Sequence, residues 1–280
     1  MEQHSISAEQ IREFERYLRA AERGKGTIEK YLRDLRAFAA WSGGLADKEL
    51  AIGWKTHLQN SSYAAASINA MLAAVNAFFH FAGWEECRVR ALRLQRRMFR
   101  EPERELSREE YLRLLETARG RGQERLALLM ETICATGIRV SEVRDITVEA
   151  VRAGRAEIAL KGKIRTILLP GKLCRKLRKY AAARGIASGQ VFLTRTGNSL
   201  SRKQIWAEMK ALCQAAGVPA SRVFPHNLRH LFARAFYRAC RDVAKLADVL
   251  GHSSVETTRI YLLSTGAEHA RYLERLGLVY

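Results

Sequence analysis

Ile68, Met71, Leu72, Val75 and Phe79 recur at three- and four-residue spacing, and only a helix turns that period into one apolar face. Asn69, Asn76 and His80 fall on its other faces. A helix with a single apolar stripe is stable only when the stripe is covered, and the preceding sequence supplies three partners for it. Ser7-Ala8-Glu9-Gln10 is a capping box that predicts a helix to about Ala21. Thr27 is placed to cap a second helix running to about Trp41, and a third is expected from Asp47 to Leu58. The stretch from Ala64 to Trp84 is apolar overall, but Ser67, Asn69, Asn76 and His80 interrupt it and argue against a membrane span. The first hundred residues therefore predict a compact four-helix unit.

That periodicity stops at Glu101-Pro102-Glu103-Arg104-Glu105, a polar, proline-bearing stretch that reads as a linker. A second capping box, Ser107-Arg108-Glu109-Glu110, then opens a helix carrying Tyr111, Leu112, Leu114 and Leu115. The expected organisation is one domain over residues 1–98, a linker over 99–106 and a second domain over 107–280. In the second domain, Glu157 to Leu160 and Ile164 to Leu169 are β-prone runs flanking Lys161-Gly162-Lys163, which predicts a hairpin. Val191-Phe192-Leu193 offers a third strand before a turn at Arg195-Thr196-Gly197-Asn198. The remainder alternates amphipathic helices with short loops, without an internal repeat. The fold class expected is mainly α: a four-helix N-terminal domain followed by an α-rich domain with a small antiparallel β-sheet.

Charge points to a partner. The chain carries 48 Lys and Arg against 29 Asp and Glu, a formal net charge of +19, and such an excess favours a polyanion. Residues 1–87 are near neutral, so the excess lies elsewhere. Arg88, Arg90, Arg93, Arg96, Arg97 and Arg100 form one basic run without an acid, and the stretch from Lys161 to Arg241 contains Glu208 as its lone acid. A face that tracks phosphates needs this segregation, although a short charged run by itself often does no more than solvate a surface. The five cysteines, Cys87, Cys134, Cys174, Cys213 and Cys240, are far apart and form no C-x-x-C pair. They read as buried thiols of a reducing cytosol, not as a disulfide framework or zinc site. The N-terminus shows no secretory pattern, so a soluble, cytoplasmic chain is expected.

Four constellations carry chemistry. In Ala135-Thr136-Gly137-Ile138-Arg139-Val140-Ser141-Glu142, the three-residue spacing brings Arg139 and Glu142 together at a helix start; alone, this is an ordinary ion pair. In Pro225-His226-Asn227-Leu228-Arg229-His230, His226 and Arg229 share a helical face, where a guanidinium fork can grip a phosphodiester and an imidazole can move a proton. Metal ligation by His226 and His230 competes with that reading, but the H-E-x-x-H glutamate is missing and the surroundings are cationic. Near the C-terminus, Leu250-Gly251-His252 puts a histidine in a sharp turn, and Ser253-Ser254-Val255-Glu256 is a capping box. It opens a helix expected to carry Tyr261 about two turns along. Alone, Tyr261 reads as a packing residue.

In this order and spacing, A-T-G-I-R-V-S-E, H-N-L-R-H and L-G-H-S-S-V-E-T-T-R-I-Y resemble the tyrosine recombinase (phage integrase) family of Xer-type and integrase proteins. By motif the resemblance covers Ser107 to Tyr261, and the four-helix front unit resembles the family's core-binding domain. The resemblance implies a site-specific DNA recombinase that cuts and rejoins strands through a 3′-phosphotyrosyl intermediate. It implies that Arg139 and Arg229 clamp the scissile phosphate, His226 assists as acid or base, His252 donates to the phosphate and Tyr261 attacks it. Lys161 matches the hairpin lysine that protonates the departing 5′ oxygen, with Lys163 as its rival, and Glu142 braces the site. Bound double-stranded DNA, a monomer when free and a synaptic tetramer are implied, with room for an accessory DNA-bending protein. The family's N-terminal arm-binding domain is not expected here, because the core-binding helices begin by Ser7. The implied setting is bacterial cytoplasm, on the nucleoid when bound.

The chemistry agrees with those assignments. An attacked phosphodiester gathers charge on its non-bridging oxygens, which fixed cationic donors stabilise. A free phenol has a pKa of about 10 and needs a cationic pocket or a base to ionise. The leaving alkoxide needs an acid, a role open to a lysine among other cations. A phosphotyrosyl ester conserves the energy of the bond it replaces, so neither ATP, metal nor other cofactor is expected. Type IB topoisomerase-like strand breaking and rejoining would use the same residues, and a catalytically silent DNA-binding regulator would share the scaffold. After Tyr261, Ala267, Ala270, Leu273 and Leu276 form a stripe suited to docking on a neighbouring copy or to packing within the chain.

Overall fold

The computed structural model describes residues 3–94, 104–160, 163–252, 254–261 and 266–276. The chain divides into two compact units, residues 1–96 and 97–280.

In the first unit, helices α1 (Ala8–Ala20), α2 (Lys25–Trp41), α3 (Lys48–Asn60) and α4 (Ala65–Ala82) bury a shared core. Ser7 and Gln10 close the expected capping box on α1, and Asp47 caps α3 by accepting from Leu50 N–H. The second helix starts earlier than Thr27. Gly24 is its N-cap, its carbonyl accepting from the amides of Thr27 and Ile28, a position glycine fills almost as well as threonine. The strand pair β1 (His4–Ser5) and β2 (Leu45–Ala46) is antiparallel and was not legible as a period. Although α4 is long and apolar enough to cross a membrane by composition, its Ile68, Leu72, Val75, Phe78 and Phe79 pack in this core. Asn69 and Asn76, on its other faces, reach the backbone of residues 89–92.

The second unit is built around α5 (Arg108–Gly120), α6 (Glu124–Thr136), α8 (Gly171–Ala183), α9 (Arg202–Leu212) and α10 (Pro225–Cys240), with the short α7 (Val148–Ala153) beside them. Ser107 and Glu110 close the second capping box. The last residues of the expected linker belong to this unit: Leu106 is buried in its core, and α10 holds them through Asn227 to the Arg104 carbonyl at 2.7 Å and Arg234 to the Leu106 carbonyl at 2.8 Å.

The expected hairpin is present as β3 (Arg155–Leu160) and β4 (Lys163–Leu168), antiparallel, with Leu160 opposite Lys163. Its inward face is Ala156, Ile158, Arg165 and Ile167, while Ile164 and Leu168 point to solvent. No third strand forms at Val191–Leu193. Val191 and Phe192 are buried as a plug, with isolated bridges at Thr147 to Gln190 and Leu193 to Ser199, because no neighbouring strand offers a ladder. After α10 come α11 (Val243–Leu250), α12 (Val255–Arg259) and α13 (Gly266–Arg275). Cys87, Cys174 and Cys213 are buried, Cys134 is half-buried and Cys240 is exposed, so the expectation of buried thiols fails for Cys240.

Candidate active site

Helix α6 ends at Gly137, whose φ of +67° is the left-handed conformation that glycine adopts freely. Space makes the same demand, since an added Cβ would lie 2.6 Å from Cε1 of Phe232 on α10. The next residues form a short 3-10 turn, Val140–Asp145, with Arg139 as its N-cap. Glu142 is buried and accepts from the Arg139 amide at 2.7 Å and from Arg139 Nη1 at 2.9 Å. The predicted pair therefore meets, on a 3-10 turn.

Proline at the first position of α10 costs no hydrogen bond and starts the helix cleanly. His226, Arg229 and His230 then project along one side. Arg229 is 1% exposed. Its Nη1 donates to the Gly137 carbonyl, and its Nη2 donates to the Leu250 carbonyl at 2.7 Å and to Nε2 of His252 at 2.9 Å. A guanidinium has donors only, so Nε2 accepts and the His252 proton sits on Nδ1, 2.8 Å from Oγ1 of buried Thr258.

Gly251 ends α11 at φ +64°, and the turn carries His252. Ser254 caps α12 through Glu256 N–H, and Ser253 lies outside the described residues. Tyr261 does not sit two turns inside a helix. The five-residue α12 stops at Arg259, and Tyr261 follows it with its amide on the Thr258 carbonyl at 3.0 Å. This early stop swings the phenol into the site, 4% exposed. Its ring stands 5.7 Å from His252 in a stack, 4.4 Å from His230 edge-on and 6.2 Å from His226. Arg229 lies beside it, near enough for the phenol to influence the guanidinium.

Burial is the main influence on these groups. It depresses the pKa of His226, of His230 to about 3 and of His252 to about 4, helped in each case by the arginines around them. All three imidazoles are neutral at pH 7. Burial also lowers the Arg229 pKa, partly offset by the phenol. His226 and His230 stack edge-on at 4.6 Å. Among the described residues they belong to no group of three or more donors placed to share a metal ion; the group that qualifies, His4, Glu86 and Cys87, lies in the first unit.

The structure thus unites Arg139, Glu142, His226, Arg229, His252 and Tyr261. Lys161 lies outside the described residues, as do Arg96, Arg97 and Arg100, and the side chain of Lys163 is not described. Arg88, Arg90 and Arg93 stand exposed in the first unit. Thr258 and Arg165 escape the sequence reading, and His230 enters it only as a competing metal ligand. Strand phase was the available signal for Arg165, which shares the parity of buried Ile167.

Residues 104–268 match the phage integrase family, and residues 11–86 match the N-terminal SAM-like domain of phage integrases. The chain is 32% identical to tyrosine recombinase XerA of Thermococcus kodakarensis over 94% of its length and 93% of the relative. It is 30% identical to tyrosine recombinase XerC of Roseiflexus castenholzii over 90% and 88%. Among solved structures, XerH recombinase bound to palindromic difH substrate superposes with a TM-score of 0.71 at 19% identity, covering 97% of this chain and 84% of that one. A lambda integrase dimer on a COC′ core site gives 0.71 at 18%, covering 91% and 94%. The structural likenesses speak to the fold, and the sequence matches span both units: the chain belongs to the phage integrase family, the tyrosine recombinases.

Proposed function

We propose that this protein is a site-specific DNA recombinase that breaks and rejoins strands through a bond between Tyr261 and a 3′-phosphate. The observation that carries the reading is the buried phenol packed among Arg229, His226, His230 and His252, with Arg139 tied into the same turn. Arg139 and Arg229 hold the non-bridging oxygens of the scissile phosphate. As the phenol oxygen bonds to phosphorus, its proton passes to the neutral His226, and the bond from phosphorus to the 5′ oxygen breaks. Lys161, or Lys163 beside it in sequence, protonates the leaving oxygen. The reverse attack by a 5′-hydroxyl of another strand restores the diester, so no energy source is consumed. A phosphate is a stronger acceptor for Arg229 than His252 Nε2 is, and its arrival frees that nitrogen to carry a proton and donate.

Residues 1–98 serve as the core-binding domain and 107–280 as the catalytic domain, each contributing basic surface to duplex DNA. The segment from Arg88 to Leu92 supports this assignment for the first. Its carbonyls are held by Lys48, Asn76, Lys55 and Asn69, and Arg88 and Arg90 on it and Arg93 just after it are exposed. Relatives have been solved as a DNA-bound dimer and as a tetramer on a Holliday junction. A synaptic tetramer fits this chain, which exposes Ala270 and Leu273 on α13 and Leu276 just after it. The substrate places the enzyme in the cytoplasm.

The test incubates the protein, in chelator, with nicked duplexes of randomised core sequence and isolates detergent-resistant adducts. Wild type is expected to capture a defined sequence and Tyr261→Phe to capture none. Capture that persists in Tyr261→Phe, or vanishes with chelator, contradicts the proposal.

A further inference from the structure

The C-terminal turn of α11 presents three successive carbonyls, and three arginines from three segments take them. Arg165 of β4 donates to Val249 at 3.2 Å, Arg229 of α10 to Leu250 at 2.7 Å, and Arg139 of the 3-10 turn to Gly251 at 3.3 Å. Helix ends leave such carbonyls without partners and carry negative potential, so cations suit them. Arg229 and Arg139 are also the proposed phosphate grip. Arg165 differs: its Nη2 binds the second oxygen of Glu142 at 2.6 Å, its side chain is 16% exposed, and its Nε is buried without a hydrogen-bond partner. Its stem runs beneath Gly251, where an added Cβ would lie 2.6 Å from both Cδ and Nη1 of Arg165. Only glycine at 251 admits that stem.

We infer that Arg165 is a positioning residue that locks the Gly251–His252 turn to the Arg139–Glu142 pair, holding the phosphate grip assembled before DNA arrives. The inference rests on the recombinase reading. Through Glu142, Arg165 fixes Arg139; through Val249, it fixes the turn that carries His252. Loss of the bridge leaves the residues that touch phosphate present but unaligned, and alignment to a fraction of an ångström is what such stabilisation requires.

The test uses Arg165→Met, which keeps an apolar stem and loses both hydrogen bonds, with Arg165→Lys as a second variant that keeps the charge. The substrate is the suicide duplex captured by wild type from the randomised pool, made with either a phosphodiester or a neutral methylphosphonate at the scissile position. Affinity, adduct rate at saturating DNA and the melting curve are measured. The expected result for Arg165→Met is affinity within about twofold of wild type and an adduct rate about 30-fold lower on the phosphodiester. On the methylphosphonate, which gathers less charge for the grip to hold, the deficit narrows to under about fivefold. Arg165→Lys falls between, and carries the same comparison if the methionine variant does not fold. An equal deficit on both linkages, a loss confined to affinity, or an unchanged rate overturns the inference. Failure of wild type to form an adduct overturns the recombinase reading itself, and this inference with it.

Discussion

Arg88, Arg90 and Arg93 stand exposed on a segment whose backbone is fixed by Lys48, Lys55, Asn69 and Asn76. Arg139, Arg165 and Arg229 instead have their own guanidinium groups fixed by backbone carbonyls. In the first unit the backbone is held while Arg90 and Arg93 are exposed to water and Arg88 pairs at the surface with Glu85, an arrangement for collecting phosphates with little demand on geometry. In the second, Arg229 and Arg165 are withdrawn from water and Arg139 partly so, with carbonyls and one carboxylate in place of hydration, so little reorganisation remains when charge develops on a substrate. One residue type thus serves affinity in one place and alignment in the other.

The comparison breaks most visibly at Arg229. Arg229→Lys replaces a fork that spans Gly137, Leu250 and His252 with a single ammonium, and the adduct rate should fall about 100- to 1,000-fold with DNA affinity nearly unchanged. Single-turnover cleavage on the captured duplex measures this, and a large affinity loss with normal cleavage would place Arg229 among the collecting arginines. Next in size, Gly137→Ala drives a Cβ into Phe232 and forces a left-handed alanine, a cost of about 2–4 kcal/mol in thermal or denaturant unfolding. Gly83 caps α4 at φ +78° with open space around it, so Gly83→Ala should cost only about 1 kcal/mol. Equal costs would show that the contact with Phe232 has no weight.

Replacing Arg88, Arg90 and Arg93 together by alanine should lower the salt dependence of DNA binding, the slope of log K against log salt falling by about 2 to 3. The adduct rate at saturating DNA should not change, and a changed rate would give these side chains a part in alignment. The last effect concerns pH. The folded-state pKa values of His230 and His252 are depressed from 6.5 to about 3 and about 4, so between those values and 6.5 the unfolded chain binds more protons. The second unit should lose stability as pH falls from 6.5 towards 4 and show no such dependence above about 7. Melting curves across that range test it, and a flat profile would mean that these imidazoles are not held neutral.

The capping boxes at Ser7 and Ser107, the core stripe of α4 and the hairpin were legible because each is written in neighbouring residues. What escaped depends on groups distant in sequence. Thr27 reads as a better cap than Gly24 until the Gly24 carbonyl is seen accepting the first amides of α2. Val191-Phe192-Leu193 has strand composition, but a strand needs a continuous ladder, and its neighbours offer only the isolated bridges Thr147 to Gln190 and Leu193 to Ser199. In β4, apolar Ile164 and Leu168 suggest one buried phase, whereas Arg165 and Ile167 occupy the inward one. Tyr261 could be named from its motif, yet its burial follows from α12 stopping after five residues. Asn69 and Asn76 lie off the apolar stripe as their spacing predicts, but their grip on residues 89–92 is not legible in α4 alone.

The most direct measurement digests the captured adduct with trypsin and locates the nucleotide by mass spectrometry. Cleavage after Arg259 and Arg271 releases residues 260–271, a peptide with Tyr261 as its sole tyrosine. The expected mass is that peptide bearing a nucleotide 3′-phosphate on the Tyr261 oxygen. A nucleotide on Tyr237, on a serine or on any other peptide would contradict the site described above.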